Sequence, residues 1–536
     1  ALIMILSPTA RRNLTISLLL GLLSQQVSSF ATVSPSFPRP TSTLLAKVSS
    51  DDLPTEEVDV IVIGSGLAGL SCAALLSYSD KKTVVLESHD APGGACHTWE
   101  RRGFHFESGP SLYSGFSMDE SPNPLKNVFQ IVGEDCEWIT YDRWGTVLPT
   151  GEKFAAKIGP EEFGDVLKTY GGEGAEEEFA ALMERMTPLS NAAQALTSMA
   201  LREDAGAIFT LLKYPKELFE TLKQGQALND PFSCIMEEME IKNKFVINWL
   251  DMLCFLLQGL PAAGTMNAVM AYMLADWYRP GVTLDFPKGG SGAIVETLIR
   301  AIRKYQGQVC LNAHVDEILV ENGKACGVKL ASGKVIRAKQ AVVSNADPYV
   351  TNKMLHNADL SDEMKAYMAQ LTETNPSKEG IPDLKSFIHI HAGIDATGLP
   401  ELPSADFPAQ WAVIKDWDLP EGVEAPRNIV LCSMPSLIDP TLAPEGKHVL
   451  HAYVPATEPY EDWAGMDRNS EEYQQKKDEA ADFLWTAIEK YVPNARDRAV
   501  PGTVQIGTPL THERFLRRTR GAYGYVSVGS MKCLSS

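Results

Sequence analysis

Apolar residues along this chain fall into patterns whose order is informative. Val58, Val60, Ile61, Val62 and Ile63 make a short, nearly continuous apolar run, which is what a parallel strand covered on both faces requires. Glycines follow at once in Gly64-Ser65-Gly66-Leu67-Ala68-Gly69, and the spacing from Leu67 onward predicts a helix. A second run, Thr83-Val84-Val85-Leu86, predicts another strand and ends on Glu87. Amphipathic helical periodicity governs residues 119–279, with a charged patch at 173–178. Within it, 245–260 is apolar around most of its circumference, broken by Asn248, Asp251 and Gln258. Such a helix is buried or touches lipid; it is too polar to span a bilayer and reads as a core helix, a wall of an apolar tunnel, or a monotopic membrane face. Met199, Met236, Met239, Met252, Met266, Met270 and Met273 supply flexible, polarizable surface for a core or a long apolar ligand. Residues 309–343 are β-rich, and Asn322-Gly323 and Ser332-Gly333 predict hairpin turns. Further on, Phe387-Ile388-His389-Ile390-His391 alternates, so both histidines share one strand face.

The strand, glycine, helix, strand and acid order predicts a dinucleotide cradle. Gly64 permits the tight turn, Gly66 lets backbone approach a pyrophosphate, and Gly69 lets helix and strand pack closely. The helix N-terminus directs free N–H groups at the phosphates. Glu87, about twenty residues beyond, suits the ribose hydroxyls and disfavours a 2′-phosphate, so an adenine dinucleotide other than NADP is expected. Two more glycine turns follow closely, Pro92-Gly93-Gly94-Ala95 and Gly109-Pro110-Ser111. Alone each is ordinary turn chemistry; so near a cradle, Gly93, Gly94 and Ser111 are expected to touch the cofactor, closing over a diphosphate or approaching a flat ring.

Composition narrows the function. At 536 residues the chain can bury two or more cores. A net charge of −20 and a pI near 5.0 leave no general attraction to nucleic acid. Nine cysteines without a C-x-x-C pair argue against zinc, a thioredoxin-type motif or a disulfide framework, and fit a reducing compartment. No third ligand is evident for His389 and His391, so a satisfied or cavity-lining pair is expected and no metal. No G-x-S-x-G elbow supports a serine hydrolase. The first fifty residues lack Asp and Glu; Arg11 and Arg12 precede apolar 14–23, then Ser28-Ser29 meets Phe30-Ala31, and a Ser/Thr/Pro-rich stretch with Arg39 and Lys47 follows. A signal peptide joined to a plastid transit segment is expected, resembling the leaders of complex plastids of red-algal origin, with ordinary secretion as the alternative.

Five phrases carry a family resemblance: LESHDAPGGACHTW, FESGPSLYSG, Ala275-Asp276-Trp277-Tyr278-Arg279-Pro280-Gly281, GKHVLHAYVPATEP and GTPLTHERFLRR. Together, over about residues 58–524, the chain resembles the flavoenzymes that include amine oxidases, phytoene desaturases and, most closely, carotenoid cis-trans isomerases. The resemblance implies FAD, a plastid and a carotenoid substrate; because no mature segment is long and apolar enough to span while a carotenoid must arrive from lipid, peripheral attachment to the plastid membrane is expected. It implies cofactor contact at Gly64, Ser65, Gly66, Ala68, Gly69, Glu87, Ser88, Gly93, Gly94, Ala95, Gly109, Pro110 and Ser111. It also brings the backbone of Val315 to the adenine and returns Ala341-Val342-Val343-Ser344-Asn345-Ala346 beside the first strand, with Asn345 at the cofactor. The fold class expected is α/β: a discontinuous Rossmann-like FAD-binding domain with an inserted helical and mixed α+β substrate domain. Its layout is a leader at 1–50, FAD-binding parts at 55–115 and 281–350, a helical substrate- or membrane-facing insert at 116–280, a mixed substrate domain at 351–500, and a C-terminal FAD-domain segment at 501–536.

Beyond Gly521-Ala522-Tyr523-Gly524 the family continues into a Pro-Gly-rich helix start over the flavin, whereas this chain reads YVSVGSMKCLSS. That departure puts flavin affinity in question and leaves a shortened chain or an inactive paralogue as readings. Rotation about a polyene double bond needs its bond order lowered, by electrons or hydride from reduced flavin or by protonation. Glu107 and Asp276 are the candidate acids; either could be a structural hydrogen-bond acceptor instead. Cis-trans isomerisation is the activity the resemblance implies. A desaturase, a retinol or carotenoid saturase, a polyene hydratase, and a non-catalytic carotenoid or flavin binding protein stand as alternatives.

Overall fold

Strand β1, Val58–Ile63, is the axis of the cofactor half. In the computed structural model, which describes residues 53, 57–109, 112–119, 121, 123–198, 223–224, 227–358, 360–374 and 385–522, Ile61 and Val62 are completely covered. The expected leader, Pro110, Ser111, Met199 and the C-terminal departure all lie outside the described residues. β1 pairs in parallel with β2, Thr83–Leu86, and on its other side with Val335–Ser344. β2 pairs in parallel with Gln308–Cys310, and an antiparallel meander of Val315–Glu321, Lys324–Leu330 and Val335–Ser344 completes six strands. Both expected hairpins form; at the first, Asn322 (φ 52°) and Gly323 (φ 73°) take the left-handed conformation that a two-residue turn needs.

Burial on both faces explains the continuous apolar run. Val60, Val62 and Val85 pack with helix α1, Leu67–Tyr78, and with the helix Gly292–Lys304 through Leu70, Ala73, Ile294 and Leu298. Val58, Ile61, Ile63, Val84 and Leu86 pack on the opposite face with Val328, Ile336 and Met354. Strict alternation fails between Val58 and Val60, where the register shifts.

A seven-stranded sheet runs in the order Gln505–Gly507, Lys385–Asp395, Lys447–Pro459, Ile429–Ser433, Gln410–Ile414, Arg143–Val147, Lys153–Lys157. Its residues divide by face. Trp411, Val430 and Cys432 pack with Leu484, Trp485 and Ile488 of the helix Glu471–Ile488, whereas Ala412, Ile414 and Leu431 pack with the helices Ala175–Ser198, Lys244–Gln258 and Asn267–Trp277. Helix Lys244–Gln258 follows from local chemistry: the Asn243 side chain accepts from the Val246 amide, and Gly259 (φ 70°) closes the C-terminus in the left-handed conformation.

Two expectations need correction. Residues 119–279 are not helical throughout, because Trp138–Tyr141, Arg143–Val147 and Lys153–Lys157 are strands, and Arg143–Val147 lies parallel to Gln410–Ile414. Gln505–Gly507 pairs with His389–His391 and so joins the seven-stranded sheet, not the cofactor sheet. Strands this short carry too few residues to show a period, and their partners lie far away in sequence. No described helix is long and apolar enough to cross a membrane.

Candidate functional site: a glycine cradle and a histidine cluster

β1 ends at Ile63 and the chain turns at Gly64 (φ 93°). Ser65 then donates through its backbone N and its Oγ to Glu87 Oε2, at 2.8 and 2.6 Å. Glu87 Oε1 accepts from the His89 amide at 2.8 Å and from Ser88 Oγ at 3.3 Å. The buried acid therefore braces the first glycine turn from below. Helix α1 starts with Gly66 as its N-cap, with no side-chain cap and no acid in its first turn, so the amides around Ala68 keep their positive field. A Cβ on Gly66 would lie 2.7 Å from Asn345 Nδ2, and one on Gly69 would lie 2.3 Å from the Gly64 carbonyl oxygen.

The second glycine turn folds onto the first. Gly93 N donates to Ser65 O at 3.1 Å and to Ser65 Oγ at 3.2 Å. Gly94 continues into the short turn Gly94–Cys96, which holds Ala95, and a Cβ on Gly94 would come within 3.1 Å of Gly66 Cα. Asn345 closes the third side, its backbone N donating to Ile63 O at 2.8 Å. Ala313 N donates to Glu87 O at 2.7 Å, tying the segment before Val315 to the end of β2; Val315 itself is buried and pairs with Leu330. Gly109 is half-buried and is not joined to this cluster by any described hydrogen bond.

The two acids sit differently from the cradle and from each other. Glu107 Oε1 accepts from both the backbone N and the Oγ of Ser291, the latter at 2.6 Å. Tyr113 OH donates to the same Ser291 Oγ at 2.6 Å. Burial pushes the Glu107 carboxyl up, and the two Ser291 hydrogen bonds oppose that rise. Asp276, near the end of the helix Asn267–Trp277, accepts from Ser114 Oγ and pairs with Arg279 Nε at 3.3 Å. Neighbouring residues of one short strand, Tyr113 and Ser114, thus serve the two acids from opposite faces.

Sequence reasoning missed the third and fourth histidines. His451, on Lys447–Pro459, lies directly opposite His391 across the antiparallel pair. Their rings stack at 4.3 Å with an 8° interplanar angle, and His389 Nδ1 lies 2.9 Å from His451 Nε2. His512, from the helix Pro509–Leu516, stands 4.7 Å from the His389 ring. His391 Nε2 is 2.9 Å from the backbone oxygen of Glu107. Burial holds all four imidazoles neutral: His391 is lowered to about 4, His512 to about 3, and His389 and His451 fall well below the usual value. Trp99 packs on His391 at 5.0 Å and stacks on His97 at 5.4 Å, and His97 Nδ1 is 2.8 Å from Gly94 O. A column of rings therefore joins the cluster to the second glycine turn. The signal lay in KHVLHAYV, whose strand character would have supplied His451 had its register been legible.

Beneath the seven-stranded sheet, Trp144, Phe163, Trp249, Met252, Leu256 and Trp277 line an apolar pocket. The helix Lys244–Gln258 is thus both core and pocket wall.

Residues 67–532 match the family described as flavin containing amine oxidoreductase. The chain belongs to this family. FAD is its cofactor. Among curated proteins, this flavoenzyme is 31% identical over 485 residues to the chloroplastic prolycopene isomerase of Daucus carota, covering 90% of this chain and 74% of that one. It is 28% identical to the chloroplastic prolycopene isomerase of Arabidopsis thaliana (89% and 76% covered) and 26% identical to the all-trans-retinol 13,14-reductase of Macaca fascicularis (88% and 77%). Among solved structures, an oxidoreductase from Methanosarcina mazei superposes with a TM-score of 0.54 at 19% identity, over 84% of this chain and 87% of that one. Putrescine oxidase bound to putrescine superposes with a TM-score of 0.51 at 15% identity, over 88% of each chain. Both likenesses concern the fold. The residues of this flavoenzyme fit a dinucleotide: an uncapped helix N-terminus, two Cβ-free glycine faces meeting at Gly66 and Gly94, and an acid ending β2.

Proposed function

We propose that this flavoenzyme isomerises poly-cis carotenoids from cis to trans, in a plastid and peripheral on its membrane. The observation that carries the reading is 31% identity, over 90% of this chain, to a protein named prolycopene isomerase; Trp144, Phe163, Trp249 and Trp277 add an apolar aromatic lining, around a space of only about 30 Å³ that has to open to admit a polyene. Long conjugated hydrocarbons bury well against such rings and against Met252. The chloroplastic relatives and the acid-free composition of residues 1–50 support the plastid.

FAD, when bound and reduced, supplies the electron pair or hydride that lowers the order of a conjugated bond. This chain's residues do the rest. Gly64, Ser65, Gly66, Ala68 and Gly69 hold the diphosphate; Gly93, Gly94, Ala95 and Asn345 close over it; Glu87 and Ser88 keep the turn and the ribose side in place; and Val315 meets the adenine with its backbone. Gly109 borders the ring. Glu107 is the proton-handling acid, its carboxyl pushed up by burial and its Oε2 being the oxygen that Ser291 does not engage. Asp276 is a positioning residue that ties Ser114 to Arg279.

Counting electrons against product tests the reading. Anaerobic incubation of a poly-cis carotene with the photoreduced holoenzyme is expected to give trans product of unchanged mass with the reductant intact. One reduced flavin consumed per product would mark a saturase, a need for oxidant a desaturase, a gain of water a hydratase, and unaltered pigment a binding protein. Each of these would overturn isomerisation.

A further inference from the structure

The four-histidine cluster asks for an explanation that the flavin chemistry does not provide. His389, His391 and His451 each offer a ring nitrogen, and these atoms lie within 4.8 Å of one another. The three residues are only 1%, 5% and 4% exposed. Three imidazoles gathered this closely in an interior, on two paired strands, present a set of nitrogen donors at one point. We propose that His389, His391 and His451 form a binding site for one divalent first-row transition metal ion, with His512 at its fourth side.

Three features support this beyond proximity. His391 is oriented as metal-bound histidines are: with Nε2–H donating to the Glu107 carbonyl at 2.9 Å, its proton sits there and Nδ1 keeps the lone pair. The scaffold is rigid, since His389 and His391 share one face of Lys385–Asp395 and His451 is fixed opposite by strand register. His512 is likewise oriented by a hydrogen bond to the backbone of Phe387.

The donor set selects the ion. Imidazoles suit Zn²⁺, Cu²⁺, Fe²⁺ and Ni²⁺, whereas Mg²⁺ and Ca²⁺ want oxygen and Cu⁺ prefers sulfur. Three neutral nitrogens leave the ion its full double charge, with the cofactor half of the molecule reached through the Glu107 backbone. The sequence expectation of no metal rested on the lack of a third ligand, and folding brings one from sixty residues away.

The test uses the full chain with its FAD, stripped with a chelator and titrated with Zn²⁺ alone or with Co²⁺ as a visible probe. The expected result is one equivalent per chain, displaceable between the two ions, with a first shell of imidazole nitrogen by X-ray absorption. His451→Gln should weaken Zn²⁺ binding at least about tenfold, and His356→Gln, at an exposed surface histidine, should leave it unchanged. If His451→Gln does not fold, the wild-type spectrum decides alone, because sulfur or carboxylate oxygen in the first shell would overturn the assignment. So would wild-type protein that takes up no ion, or a folded His451→Gln that binds as the wild type does.

Discussion

Alanine at two glycines of the cradle should separate cofactor binding from folding. Gly66 has φ −61° and ψ 164°, an extended conformation open to any residue, so Gly66→Ala adds no backbone strain. Its Cβ would lie 2.7 Å from Asn345 Nδ2 and no nearer than 3.9 Å to the next atom, so a swing of one flexible amide relieves the contact. The apo protein then loses only the poorer N-cap, about 0.5–1 kcal/mol. Flavin fares worse, because the new methyl fills the space through which backbone approaches the pyrophosphate, and a tenfold or greater loss of affinity, about 1.4 kcal/mol, is expected. Gly69→Ala behaves in the opposite way. Its Cβ would meet the Gly64 carbonyl oxygen at 2.3 Å and Asn345 Cβ at 3.1 Å, and backbone cannot swing aside. Overpacking costs about 1–3 kcal/mol and the better helix propensity of alanine returns about 1 kcal/mol. With so short a contact, a net loss near the upper end, about 2 kcal/mol, is expected in the apo protein itself. Flavin-to-protein ratio by absorbance and thermal unfolding of both apo variants by circular dichroism make the comparison. Stoichiometric flavin at wild-type affinity in Gly66→Ala, or equal apo destabilisation in the two variants, would refute the reasoning.

The buried imidazoles predict a pH dependence whose sign is fixed. Their folded pKa values lie below the unfolded value of 6.5, so the unfolded chain binds more protons; stability is full above about pH 6.5 and falls as pH drops toward about 4 for His391 and about 3 for His512. For His391 alone the loss reaches about 3 kcal/mol, and urea midpoints that do not fall between pH 7.5 and 5, or fall equally in His391→Gln, would contradict it. Asp276→Asn should lower stability by about 1 kcal/mol through the Arg279 pair while leaving flavin content unchanged; loss of flavin would place Asp276 nearer the cofactor than Ser114 and Arg279 do. With no described helix able to cross a bilayer, carbonate or high salt should release the protein from membranes, and recovery only with detergent would exclude peripheral attachment.

The cradle was legible because its parts lie within thirty residues and each obeys a local rule: an apolar run, a left-handed glycine, an uncapped helix, an acid at a strand end. Asn345 was legible only through resemblance, since nothing in its neighbourhood says that its side chain will stand over Gly66. The same limit explains Glu107, visible as a candidate acid while its partner Ser291 lies 184 positions away. His389 and His391 announced a shared face, but His451 depended on the register of a strand pair that alternation alone cannot fix. Short strands such as Arg143–Val147 were lost inside a helical pattern because their stability comes from a distant partner, Gln410–Ile414.

The strand order of the cofactor sheet also sets when the protein can take up its flavin. β1, α1 and β2 emerge first from the ribosome, but the strand beside β2 begins at Gln308, 224 residues after its partner Val84, and the strand on the other side of β1 ends at Ser344. Until then the nascent chain carries two open parallel edges, which invite mispairing. If Asn345 closes over the dinucleotide as proposed, FAD can be gripped only after Asn345 has been made, and flavin uptake is then expected late in synthesis. Flavin supply is then expected to affect yield: cells short of riboflavin should accumulate degraded or insoluble chain in place of a soluble apoenzyme.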